Sequence, residues 1–218
     1  MIPLRDNVPT KTFPFITILI IVINIAVFVY QLSLGSEARE ELIMRAGAIP
    51  YEISHGVDKP PLLGCPVQLT LLSSMFLHGG LFHIIGNMLY LWIFGKNIED
   101  RVGHLRFIFF YLVCGVVASI IHIATSPESR IPMVGASGAI SGVLGAYLIL
   151  FPRARILTLV IFLIFIRFIE IPAFIILSFW IIVQFINATS LHQTNVAWFA
   201  HIGGFFAGLF LIPLFRKE

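Results

Sequence analysis

Apolar residues in this sequence come in long unbroken runs, without the alternation of a half-buried strand or the spaced stripe of a surface helix. The first run covers residues 15–32, 18 positions with no convincing cleavage site after them. A signal-peptide core is about 7–15 residues long, so this run is read as a retained membrane span. Further runs lie at 81–94, 105–124, 139–151, 156–186 and 199–215. A polar stretch of about 40 residues, from 33 to 72, separates the first two runs. That is longer than an ordinary connection and predicts a partly structured functional loop.

The run at 156–186 is interrupted by Arg167, Glu170 and Pro172. As a helix, 156–168 would rise about 20 Å, short of a hydrocarbon core of about 30 Å. Arg167 and Glu170 lie three apart, so on a helix they share a face and pair. The pattern therefore predicts an interfacial segment followed by one span from 171. The expected fold is an all-α membrane protein, a bundle of six transmembrane helices. Its approximate spans are 15–32, 81–94, 105–124, 137–151, 171–187 and 199–215, within a membrane domain at 15–215. The long loop between helices 1 and 2 is then external, and residues 1–14 and 216–218 are cytoplasmic.

Composition agrees. Hydrophobic residues make up 58% of the 218 positions and charged residues 11%. Soluble domains carry about 45–50% apolar and about 25% charged residues, so a soluble enzyme and a disordered chain are both excluded. With both termini cytoplasmic, Arg39, Arg45, Lys59 and Arg130 fall outside and the rest of the 14 basic residues inside, as the positive-inside rule expects of a cell-membrane protein. The basic residues form no stripe, so nucleic acid is not an expected partner. Cys65 stands in the polar loop and Cys114 deep in an apolar run. They are expected to be unpaired, inert thiols.

Polar residues at membrane depth are costly and are functional candidates by default. Three clusters qualify. His83 and Asn87 are four apart on one helix face, with His78 just before them. Each alone reads as a hydrogen-bonded packing residue. A metal site is not expected, since no HExxH motif is present and no carboxylate is near. The second cluster is Gly135, Ala136, Ser137 and Gly138, followed by Ser141, Gly142 and Gly145. Small-xxx-small spacing by itself indicates close helix packing. The sharper reading makes Ser137 a nucleophile at the start of a short helix, in a water-filled depression. The third cluster is Ala200, His201, Gly204 and Gly208. Its small residues repeat every four positions and form a smooth face beside His201. If the two smooth faces meet, Ser137 and His201 come to similar depth near the outer surface. A hydroxyl needs a base within about 2.6–3.2 Å to become nucleophilic.

Taken together, His78-x4-His83-x3-Asn87, Gly135-x-Ser137-Gly138 and Ala200-His201-x2-Gly204-x3-Gly208 resemble the rhomboid family of intramembrane serine proteases. The match covers roughly residues 70–210, with all three motifs in family order. The stretch from Glu99 to Gly103 also looks like the family's turn after span two. The resemblance implies a catalytic dyad of Ser137 and His201. It implies an oxyanion hole from Asn87, His83 and the Ser137 backbone N–H, with no cofactor and no metal. It gives His78, Gly135, Gly138, Gly142, Gly204 and Gly208 structural or packing roles. Substrates would be transmembrane proteins in the lipid bilayer, reaching the site laterally past the end of span five and the 187–198 loop. Two departures stand out. Some bacterial members place a tyrosine against the catalytic imidazole where this chain has Ser141, which leaves open what orients His201. The Trp-Arg pair of the first external loop in some members is also missing. Two other functions compete with the protease reading. One is a non-catalytic rhomboid-like binding or trafficking factor, although such relatives lose the Ser or the His. The other is a transporter, for which the chain lacks an internal repeat.

Overall fold

A computed structural model describes residues 1–162, 165–190 and 196–216. The tip of the 156–170 segment, the middle of the 187–198 loop and the end of the 216–218 tail lie outside the described residues. The helices follow the apolar runs closely. They are α1 (Phe15–Ser33), then α2 (Ser36–Ala46), α3 (Pro50–His55) and the short α4 (Thr70–Ser73). Next, α5 (Leu81–Tyr90) runs through one π turn at Leu91–Gly95 into α6 (Lys96–Val102). After these come α7 (His104–Thr125), α8 (Ser137–Leu150), α9 (Ala173–Ala188) and α10 (Trp198–Phe215). The long polar stretch is thus partly structured, as α2 and α3. Among the described residues, α1, α7 and α10 are each long and apolar enough to cross a membrane. The stretches Val67–Phe76 and Leu81–Val102, bent by 82° at their junction, make a fourth candidate, and α8 and α9 are apolar but shorter. Cys65 and Cys114 are unpaired, the first exposed and the second buried.

The all-α expectation needs one correction. The segment expected to be interfacial is a β-hairpin, β2 (Arg155–Phe162) and β3 (Phe165–Pro172), and β1 (Ile2–Asp6) pairs with the other edge of β2. Both pairings are antiparallel, with Asp6 opposite Ile156 and Arg155 opposite Pro172. The residues favour this outcome. Ile156, Thr158, Val160 and Ile161 are β-branched and pack well on a pleated surface. Arg167 and Glu170 do not pair as a helical couple. Residues an odd number apart point to opposite faces of a strand, and Glu170 instead stands 4.0 Å from Arg155 across the ladder. The hairpin runs directly into α9, whose first residues are tied back by Ala173 N–H to Ala154 O at 2.7 Å and Phe174 N–H to Pro152 O at 3.0 Å.

The bundle is built around α8, which is buried continuously from Ala139 to Tyr147. Its neighbour α10 lies against it backbone to backbone. A methyl added at Gly204 would strike the carbonyl oxygen of Gly138, and one at Gly208 that of Gly142. One added at Gly145 would strike the Phe205 carbonyl. On the third side, α7 presents Ala118 to Gly138 and Cys114 to Gly142, where an added Cβ would stand 2.8 and 2.5 Å from their Cβ atoms. Small residues on all three helices let the backbones approach and gain dispersion contacts, the main attraction available between helices in lipid.

The end of the bundle away from Ser137 is fastened by buried carboxylates. Glu99, fully buried, accepts from Ile16 N–H at 2.9 Å, Thr17 N–H at 2.7 Å and the Thr17 hydroxyl at 2.6 Å. These bonds satisfy the otherwise orphaned donors at the start of α1. Asp6 of β1 accepts from the Asn97 amide and, at 2.7 Å, from the hydroxyl of Tyr147 on α8. Lys96 lies 3.1 Å from its other oxygen.

Candidate active site

Ser137 begins α8, following a loop held by Gly135 N–H to Ser74 O at 2.9 Å. Gly135 has φ +122°, a region that disfavours a side chain. A Cβ there would also stand 2.6 Å from His83 Nε2 and 3.5 Å from Asn87 Nδ2. Glycine therefore lets both side chains come up against the loop two residues before Ser137. The helix start leaves the first backbone N–H groups of α8 free of intrahelical bonds. His83 and Asn87 thus stand against the loop that leads into these N–H groups.

The Ser137 hydroxyl lies 2.9 Å from Nε2 of His201, across the seam between α8 and α10. The glycine contacts set this distance, because they bring the two helix axes close enough for a short hydroxyl to reach an imidazole. Ser141, one turn along, donates to the Ser137 carbonyl at 2.7 Å and does not face the ring. Aromatic contacts to His201 come from elsewhere, from Trp180 with ring centroids 6.0 Å apart and from Trp198 at 5.8 Å.

His201 also has a partner that the sequence reading missed. Its Nδ1 lies 2.9 Å from Oε1 of Gln184 on α9, a side chain only 5% exposed. The Gln184 amide nitrogen donates to Trp180 O at 3.0 Å, which turns the amide oxygen toward the imidazole. This sets an acceptor at Nδ1 and the Ser137 hydroxyl at Nε2. The signal was available: Gln184 is an amide inside an apolar run, and such residues are functional candidates by default.

His78 is buried and Asn87 nearly so. Asn87 Nδ2 donates to His78 Nε2 at 3.0 Å, which leaves its second N–H for the cleft. His78 is itself clamped to α1: its N–H donates to Gln31 Oε1 at 3.0 Å, and Gln31 Nε2 donates to the His78 carbonyl at 3.2 Å. His83, Asn87, Ser137, Gln184 and His201 all line one cleft of about 1290 Å³, with Trp180 on its α9 side. Gly138, Gly142, Gly204 and Gly208 lie in the seam beside it, whereas His78 and Gly135 stand behind the cleft, one against Gln31 and the other in the loop before Ser137.

Known proteins resemble this chain over the region that holds the cleft. The family profile described as Rhomboid domain matches residues 67–218, which holds all three motifs. The chain belongs to the rhomboid family. It is 33% identical over 144 residues to the Rhomboid protease GluP of Bacillus subtilis, covering 66% of this chain and 25% of that protein. It is 29% identical over 220 residues to RHOMBOID-like protein 1 of Arabidopsis thaliana, covering 91% of this chain and 52% of the relative. A shorter match, 36% over 88 residues, joins it to the mouse Presenilin-associated rhomboid-like protein, mitochondrial, across 39% of this chain and 23% of that one. The chain thus spans between about a quarter and a half of these relatives' lengths. Family and apolar helices together make it a multi-pass membrane protein.

Proposed function

We propose that the chain is an intramembrane serine endopeptidase that cleaves transmembrane segments of other membrane proteins. The observation that carries this is the 2.9 Å contact between Ser137 Oγ and His201 Nε2 inside a donor-lined cleft. Ser137 Oγ attacks the scissile carbonyl while its proton passes to Nε2. Negative charge on the carbonyl oxygen is met by the Ser137 N–H, the free Asn87 N–H and His83. A single donor of this kind contributes about 2.7–4 kcal/mol to the transition state. The tetrahedral intermediate collapses, Nε2 returns its proton to the leaving amine, and water then hydrolyses the acyl-enzyme by the same route in reverse. A peptide bond inside a helix is shielded by its own hydrogen bonds. Preferred substrates therefore unwind easily beside the cut.

The same reading places six spans in the bilayer, both termini in the cytoplasm, the loop holding α2 and α3 outside and the cleft near the external face. Purified protein in detergent, mixed with a single-span substrate, tests the chemistry. Ser137→Ala and His201→Ala are each expected to abolish cleavage, and a serine-reactive phosphonate is expected to label Ser137. Undiminished cleavage by either variant overturns the dyad. Reporter fusions on both sides of residues 156–170 test the topology, with a cytoplasmic signal expected from each.

A further inference from the structure

Resting on that reading, we propose that Gln184 is the positioning residue of the site, a neutral third member that holds the His201 imidazole in its reactive tautomer. Two observations support this. First, both ends of the Gln184 amide are committed. The nitrogen is bound to Trp180 O at 3.0 Å, so the oxygen faces His201 Nδ1 at 2.9 Å, and the amide acts as an acceptor only. An acceptor at Nδ1 fixes the proton there and leaves Nε2 basic. It also favours the imidazolium that forms when Ser137 gives up its proton, the role a carboxylate fills in soluble triads. At membrane depth an ionised carboxylate is costly, and an amide oxygen does the same orienting work without charge.

Second, Ser141 leaves the imidazole without an aromatic partner from α8, since its hydroxyl is turned to the Ser137 carbonyl. The described contacts to the ring, apart from Ser137, come from α9 through Trp180 and Gln184 and from Trp198 at the start of α10.

The test uses full-length protein in detergent with a single-span substrate and a serine-reactive phosphonate. Gln184→Met keeps length and volume and removes the acceptor; Gln184→Glu keeps an acceptor. For Gln184→Met, kcat and the rate of Ser137 labelling are expected to fall together by about 10–100-fold, with KM changed less than about threefold. For Gln184→Glu, at least a tenth of wild-type activity is expected. The acid limb of its pH–rate profile should move to higher pH, because an acidic partner at Nδ1 stabilises protonated His201. A Gln184→Met enzyme within twofold of wild type overturns the proposal, and so does equal loss in the Met and Glu variants. Failure of the dyad itself reads out separately, as wild-type protein that neither cleaves nor labels at Ser137.

Discussion

Two of the helices that flank α10, α8 and α9, hold it in opposite ways. On one side α8 meets it through glycines, so closely that backbone carbonyls fill the space a methyl would need. On the other side α9 meets it through large rings, Trp180 against Phe205 with centroids at 6.1 Å and Phe185 against Phe206 at 6.2 Å. Lipid tails are as apolar as those rings, so an acyl chain replaces a ring contact at little cost, whereas nothing in the bilayer replaces a backbone-to-backbone fit. The pair that carries Ser137 and His201 is therefore the fixed part of the site. The helix that carries Gln184 is the part most easily displaced.

The difference can be broken from either side. The largest effect is expected from Gly208→Leu, which drives a branched side chain into the Gly142 backbone. It should cost about 3 kcal/mol or more, seen as loss of monodisperse protein in detergent and a large drop in Tm. Trp180→Ala comes next. It removes one aromatic contact to Phe205 and one to His201, and the stability loss should be about 1–1.5 kcal/mol, while cleavage falls by more than the change in Tm accounts for. Ile182→Ala, on the exposed face of α9, should change stability by no more than about 0.5 kcal/mol. Amide exchange in micelles would sharpen the comparison without mutation. Protons of the outer half of α9 should exchange before those of α8 and α10, and the reverse order would mean that the glycine seam is not the rigid element.

Much of this seam was readable from the sequence. Gly138, Gly142, Gly204 and Gly208 repeat at intervals of four, and a repeat of small residues on a helix face has few uses besides close approach. On the six-span reading that approach put Ser137 and His201 at similar depth, and the dyad itself came from the family resemblance. Two things were not readable. The hairpin at 155–172 is apolar on both faces, so it lacks the alternation that marks a strand, and its Arg167 and Glu170 imitate a helical pair. Its partner β1 lies about 150 residues away in sequence, and nothing local announces such a pairing. Gln184 failed for another reason. A lone amide in an apolar run is visible as a cost, but which group relieves it depends on helix rotation, and the pattern along α9 leaves that rotation unspecified.

The small sheet that joins β1 to β2 carries a consequence for how the chain is threaded through its membrane. Strand hydrogen bonds are about 3 Å long, and the hydrocarbon layer is about 30 Å thick, so β1 and β2 must lie on the same side. Between Asp6 and Arg155 the polypeptide leaves that side and returns to it, and the number of crossings in that interval is even. The spans proposed above for that interval, α1, the helix running from α5 to α6, α7 and α8, number four and satisfy this parity. No arrangement in which just one of those four turns back within the bilayer can do so. A cysteine at Leu4 and another at Arg167 should accordingly react with an impermeant reagent from the same face, and the sheet serves as an internal check on the parity of insertion.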